Sequence, residues 1–147
     1  MHKHIIVILD NIRSTFNVGS ILRTSDGAGV TKLYLCGITP TPDHPKIKKT
    51  ALGAEDYVKW EHHKNILEVI NKLRKEGYTI VCVEQSEKAV DYKEYEYPKK
   101  VAFVFGNEIS GVSEYIMEDS DAIIDIEMHG KKNSLNVATT VGIILYK

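Results

Sequence analysis

Cysteine is nearly missing from this chain of 147 residues, and so are arginine, tryptophan and proline. The two cysteines, Cys36 and Cys82, sit apart inside apolar stretches with no C-x-x-C spacing. That excludes a disulfide scaffold and reads as two buried free thiols of a cytosolic protein. Long apolar runs are absent too: Ile5–Leu9, Val101–Phe105 and Val141–Tyr146 (broken by Gly142) are the longest. All fall far short of the ~18 residues a membrane span needs. No charged segment followed by an apolar one opens the sequence, so no secretory leader is expected. Three of the four prolines fall between Gly37 and Pro45, which marks that stretch as a loop.

No excess of positive charge exists either. The net charge is −1, so the molecule as a whole does not attract nucleic acid. Its distribution is uneven. Two of the three arginines, Arg13 and Arg23, lie near the start, Lys46, Lys48 and Lys49 form a second basic group, and Lys131 with Lys132 a third. The segment from Glu114 to Glu127 holds only acidic charges. One basic face on a neutral protein is compatible with that pattern.

What is present is an alternation of apolar strands and amphipathic helices. His4–Leu9, Lys32–Cys36, Tyr57–Trp60, Thr79–Val83, Val101–Phe105 and Ala122–Ile126 read as strands. Helices are expected from Asn17 to the Gly27/Gly29 stop, from Lys64 to Glu76, at Ser113–Met117 and over Asn136–Tyr146. A polar loop is expected over Glu84–Lys100. The prediction is one α/β domain over residues 1–147 with a mostly parallel sheet flanked by helices.

Common chemical motifs fail. There is no G-x-x-x-x-G-K-[ST] loop, and Gly27-Ala28-Gly29 follows a helix and lacks a third glycine. His2, His4, His62 and His63 have no cysteine or carboxylate at metal-ligand spacing, so they are expected on the surface and no metal is expected. No G-x-S-x-G elbow is present.

Three segments combine small and polar residues beside an apolar run. In the first, Asn17-Val-Gly-Ser-Ile-Leu-Arg23-Thr, an amide and a guanidinium share one helix and are expected to flank one anionic or hydroxyl-bearing group. In the second, Phe105-Gly106-Asn107-Glu108 with Gly111, a strand ends in glycines around a carboxylate. In the third, Gly130-Lys-Lys-Asn-Ser134-Leu135-Asn136-Val137, Ser134 or Asn136 can cap the last helix.

In this order and spacing, the three segments resemble the three motifs of the SpoU (TrmH-type) branch of the SPOUT RNA methyltransferases, over nearly the whole chain. Two positions depart from that pattern: Glu127 stands where the family often has proline before Met128, and Val-Ala-Thr-Thr-Val-Gly follows Asn136. The resemblance implies a SPOUT fold with a C-terminal deep trefoil knot. Many relatives carry a further RNA-binding domain; as this sequence opens at its first strand and closes in its last helix, no extra RNA-binding domain is expected. It implies S-adenosylmethionine as cofactor, bound by Val83, Glu84, Gly106, Asn107, Ile126, Met128, Ser134 and Leu135. The reaction implied is methylation of a ribose 2′-hydroxyl in RNA, tRNA slightly ahead of rRNA, with Arg23, Asn17, Glu108, Ser134 and Asn136 as the catalytic set.

A guanidinium, with a pKa above ~12, is a poor base. Arg23 is therefore read as holding phosphate and ribose and stabilising the developing alkoxide, with direct proton abstraction left open. RNA contacts are expected from Arg13, Arg23, Lys46, Lys48 and Lys49. A cytoplasmic homodimer is expected, with Val137, Val141, Ile144 and Leu145 offered by the last helix for burial between subunits. The competing reading is a non-catalytic RNA-binding or assembly protein that keeps the knotted fold.

Overall fold

The computed structural model describes residues 3–147. In chain order the elements are β1 (His4–Asp10), α1 (Thr15–Ala28), β2 (Lys32–Cys36), α2 (Pro45–Ala51), β3 (Trp60–His63), α3 (Ile66–Lys75), β4 (Thr79–Val83), β5 (Val90–Asp91), β6 (Lys100–Phe105), α4 (Glu114–Asp119), β7 (Ala122–Asp125) and α5 (Val137–Leu145). A short 3-10 turn, Ala54–Asp56, precedes β3.

The strands form one sheet in the order β3-β2-β1-β6-β4-β7-β5, and every pairing is parallel. The apolar runs explain why. In β1, Val7 and Leu9 enter one core and Ile6 and Ile8 the other; in β6, Val101, Phe103 and Phe105 oppose Ala102 and Val104. Strands apolar on both sides require cover on both faces, as parallel sheets have. Ile21 and Leu22 of α1, Ile47 of α2 and Val141 and Ile144 of α5 join the first core, and α3 and α4 supply Val69, Leu73 and Ile116 to the second.

Two elements depart from expectation. The strand placed at Tyr57–Trp60 begins only at Trp60 and runs to His63. Tyr57 is 79% exposed, while Val58 is buried under the preceding turn; an apolar residue packed beneath a turn mimics a strand. Pro45 opens a helix instead of closing a loop: it sits in the first turn of α2, and His44 caps that turn through its ring nitrogen onto Lys46 N–H at 3.2 Å. Proline suits that position because its missing N–H has no intrahelical partner there.

The polar loop expected over Glu84–Lys100 also carries β5, which pairs with β7 at Val90↔Ile124 and Asp91↔Asp125, and gives up Lys100 to β6. From β5 the chain returns to β6 with Tyr92, Tyr95 and Tyr97 packed on the face that carries α5. α4 lies on the opposite face. β7, held between β4 and β5, thus carries the chain from one face toward the other.

Val141, Ile144 and Leu145 are 0%, 0% and 8% exposed within the single chain. They complete its own core and are not available to a partner subunit, contrary to expectation; the alternating faces of a nine-residue apolar helix do not reveal which side the sheet takes. His4 and His62 are exposed and His63 is half-buried against Glu61, while His2 lies outside the described residues.

Gly19 is fixed by helix packing. A Cβ there would lie 1.7 Å from Thr50 Oγ1 and 2.8 Å from the Ile47 carbonyl oxygen, so α1 meets α2 through bare backbone. Overfilling such a contact forces the backbone apart. Gly19→Ala is therefore expected to lower unfolding free energy by about 1–3 kcal/mol, read from urea midpoints at unchanged m; an unchanged midpoint would contradict the contact.

Candidate active site

The carboxyl ends of β1, β6, β4 and β7 point the same way, and open α/β sheets place ligands outside those ends. There a cavity of about 340 Å3 opens. Its lining combines apolar side chains, Val83, Phe105, Ile126, Met128 and Leu135, with polar ones, Asn17, Glu108, Ser134, Asn136 and Thr140 among them.

Glu108, Asn17 and Asn136 form one hydrogen-bonded chain that joins all three motif segments. Glu108, just past β6, accepts Arg13 N–H at 3.0 Å, Ser14 N–H at 2.9 Å and the Asn17 side-chain amide at 3.3 Å. Asn17 Oδ1 in turn accepts from Asn136 Nδ2 at 3.2 Å. The Asn136 oxygen caps α5, accepting Ala138 N–H at 2.9 Å and Thr139 N–H at 3.3 Å. Of the two capping candidates, Asn136 takes the position and Ser134 is left exposed at the cavity. At the other end Ser14 caps α1, its hydroxyl accepting Asn17 N–H at 3.1 Å.

Glu108 sits at the N-terminus of α1, where unpaired amides and the helix dipole favour negative charge. Partial burial raises its pKa, but the amides of Arg13 and Ser14 and the Asn17 side chain outweigh it and hold the carboxyl below its ordinary value of 4.5. Its neighbour Asn107 shapes the turn. Asn107 Nδ2 donates to the Asn11 carbonyl at 2.7 Å, and its oxygen accepts the amides of Ile109 and Ser110 at 2.9 and 3.0 Å. Asn11 itself has a φ of 56°, and its side-chain oxygen accepts Ile38 N–H at 3.0 Å.

Other expected groups lie elsewhere. Arg23 is exposed on α1 and does not line the cavity of its own chain. The expectation that Asn17 and Arg23 flank one group within a single chain therefore fails. At 3.6 residues per turn, six residues leave two side chains about 120° apart around a helix, so Asn17 faces inward and Arg23 outward. Arg13 is exposed beside the Glu108 contact, and Lys46, Lys48 and Lys49 are exposed on α2. No three His, Cys, Asp or Glu side chains gather to hold a metal among the described residues. Cys36 and Cys82 are buried, and burial pushes their thiols up to about 12 and about 11.

Sequence reasoning misses Asp125 and Thr140 on the cavity wall. Thr140 carries a usable signal, since it stands one helical turn from Asn136. Asp125 has none, as it ends a strand one residue shorter than the apolar pattern suggests.

The fold and cavity define an α/β protein with a parallel sheet and a partly apolar pocket at its carboxyl ends. Residues 4–146 match the SpoU rRNA Methylase family. A tRNA (guanosine(18)-2′-O)-methyltransferase of Thermus thermophilus is 33% identical over 96% of this chain and 72% of its own length. The crystal structure of the TrmH/SpoU tRNA modifying enzyme of Aquifex aeolicus superposes with a TM-score of 0.88 at 34% identity, covering 99% of this chain and 73% of that one. An AdoMet-bound rRNA methyltransferase from Sinorhizobium meliloti gives a TM-score of 0.92 at 28% identity over 99% of this chain, which spans 56% of that protein's length. The chain belongs to the SpoU methylase family.

The lowered pKa of Glu108 makes a stability prediction. A group whose pKa is depressed by folding stabilises the native state above its unfolded value, and that contribution disappears as pH falls through the folded value. Wild type is therefore expected to exceed Glu108→Gln in stability at every pH above about 4.5 and to converge on it below, in denaturant midpoints measured across pH. A gap that persists at the acid end would contradict the charge-based account.

Proposed function

We propose that this protein transfers the methyl group of S-adenosylmethionine to a ribose 2′-hydroxyl in RNA. The observation that carries the reading is the cavity, which the Asn17–Glu108–Asn136 chain lines together with apolar side chains. The residues fit such a cofactor. Val83, Phe105, Ile126 and Leu135 offer apolar surface for a planar base, and no backbone N–H or C=O of residues 127–135 is used within the described chain. Those groups are free to read the edge of a base, and Met128, Ser134, Leu135, Gly106 and Asn107 all line the cavity. The Sinorhizobium relative carries AdoMet, which supports the assignment.

When bound, the cofactor supplies an electrophilic methyl on a sulfonium; the protein's task is alignment and charge. Glu108 is already committed to the start of α1, so its part is to fix Asn17 in place. Asn136 donates its side-chain amide to Asn17 Oδ1, and the pair presents a polar surface, beside the exposed Ser134 hydroxyl, against which a ribose can be oriented. Arg23, remote from its own cavity, is assigned to the cavity of a second copy in a homodimer, where it stabilises the developing alkoxide. Its face of α1 also carries Phe16, 64% exposed, which supports an interface there. Arg13 and the α2 lysines Lys46, Lys48 and Lys49 are assigned to RNA phosphates.

We infer too that the passage of β7 between faces, under the 84–99 segment, is the trefoil knot expected of the family. A tRNA is preferred over an rRNA because the Thermus relative is named for one. No helix of the described residues is long and apolar enough to cross a membrane, and the cytoplasm is the assigned location. A non-catalytic RNA-binding role is the competing reading.

Incubation with tritiated S-adenosylmethionine and bulk tRNA or rRNA, followed by nuclease digestion, is expected to yield a labelled 2′-O-methyl nucleotide without added metal and in EDTA. RNA binding without label would establish the competing role. Arg23→Ala is expected to lower turnover by about two decades, on the order of 3 kcal/mol in the barrier. Calorimetry should leave S-adenosylhomocysteine affinity within a few fold. Wild-type turnover in that variant would remove Arg23 from the mechanism.

Light scattering at micromolar concentration is expected to return twice the 16.6 kDa chain mass. The monomer mass would contradict the shared site.

A further inference from the structure

Glu84 stands just past β4 on the cavity wall, and both oxygens of its carboxylate are engaged by backbone. Oε1 accepts Gln85 N–H at 3.1 Å, and Oε2 accepts Val112 N–H at 2.9 Å, 28 residues away. The Glu84 amide donates to the Ile124 carbonyl at 3.0 Å. Its side chain is thus anchored where β4 and β7 end, and it reaches across to the loop that follows β6.

That loop is shaped to receive it. Gly111 has a φ of 71°, and a Cβ at that position would lie 2.2 Å from Glu84 Oε2. A Cβ at Gly106 would lie 2.3 Å from the Gly111 carbonyl carbon and from Val112 N. The loop therefore folds flat on itself, closed by the Asn107↔Gly111 bridge and the Gly111 N–H to Asn107 carbonyl bond of 2.9 Å. Glu108 rides on that loop.

We infer that Glu84 is a positioning residue: its carboxylate fastens the 106–112 loop to the end of β4, and through the loop it sets where Glu108 grips the start of α1. What this does for turnover rests on the proposed methyl transfer; the mechanical coupling does not. A direct contact with the cofactor, the role implied by family resemblance, makes a different prediction. Glu84→Gln would then disturb cofactor binding, while Gly111→Ala, which keeps the carboxylate but displaces it from Val112, would not reproduce that change.

The test uses both variants and their combination. Amide hydrogen exchange followed by NMR reads the clasp without any substrate. Positioning predicts that Val112, and with it Arg13 and Ser14, exchange about tenfold faster in each variant. S-adenosylhomocysteine affinity by calorimetry is expected to weaken to the same extent in Glu84→Gln and Gly111→Ala, and kcat on bulk tRNA to fall about tenfold with the double variant no worse than the worse single. Faster exchange at Val112 alone, with Arg13 and Ser14 unchanged, would overturn the inference. So would S-adenosylhomocysteine binding lost in Glu84→Gln and retained in Gly111→Ala. If wild type transfers no methyl group to any RNA, the proposed function fails, and the exchange data still decide the role of Glu84.

Discussion

One carboxylate organises the site. Glu108 takes the amides of Arg13 and Ser14, just ahead of α1, and the Asn17 side chain at once, and so docks the end of β6 onto the helix that follows β1. Charge-assisted bonds to amide donors are stronger than neutral ones, and the chain entering α1 supplies two of the three donors. The Asn17–Asn136 part of the cavity hangs from that contact. Asn17 is held by Glu108, Asn136 by Asn17, and the first turn of α5 by Asn136. Three segments, the first and last of them 119 residues apart in the chain, are thereby locked together.

The remaining geometry follows from a sheet that is parallel throughout. Parallel strands bring all their carboxyl ends to one side, and the connections must then cross the faces, where helices cover them. The cavity forms where β1, β6, β4 and β7 end together, and close backbone approach there is secured by glycine. Gly106 and Gly111 let the β6 loop lie flat against Glu84, and Gly19 lets α1 settle on α2. In each case a single methyl group would push apart elements that the Glu108–Asn17–Asn136 chain needs in register.

Much of this is legible in the residues, and the exceptions share a cause. Buried strands such as Ile5–Leu9 and Val101–Phe105 announce themselves because both faces are apolar. β3 and β5 do not, since edge strands have one free side and carry residues like His62, Glu61 and Asp91. Pro45 reads as punctuation of a loop, although proline is equally suited to opening a helix. Asn17, Glu108, Ser134 and Asn136 stand out as one group, and the fold does bring them to one cavity. Arg23 joins them by spacing alone, but helical rotation turns it outward. Glu84 can be placed beside the cavity, whereas its grip on Val112 depends on a loop conformation set by a left-handed glycine, which local pattern does not encode.

If the cavity at the strand ends holds the cofactor, titration of S-adenosylhomocysteine into isotopically labelled protein will show it in the amide chemical shifts. Shifts are expected to concentrate at Val83–Gln85, Gly106–Asn107 and residues 126–137, with β2, β3 and α3 unmoved. Saturable binding whose shifts map to another surface, or no shifts at all, would contradict it.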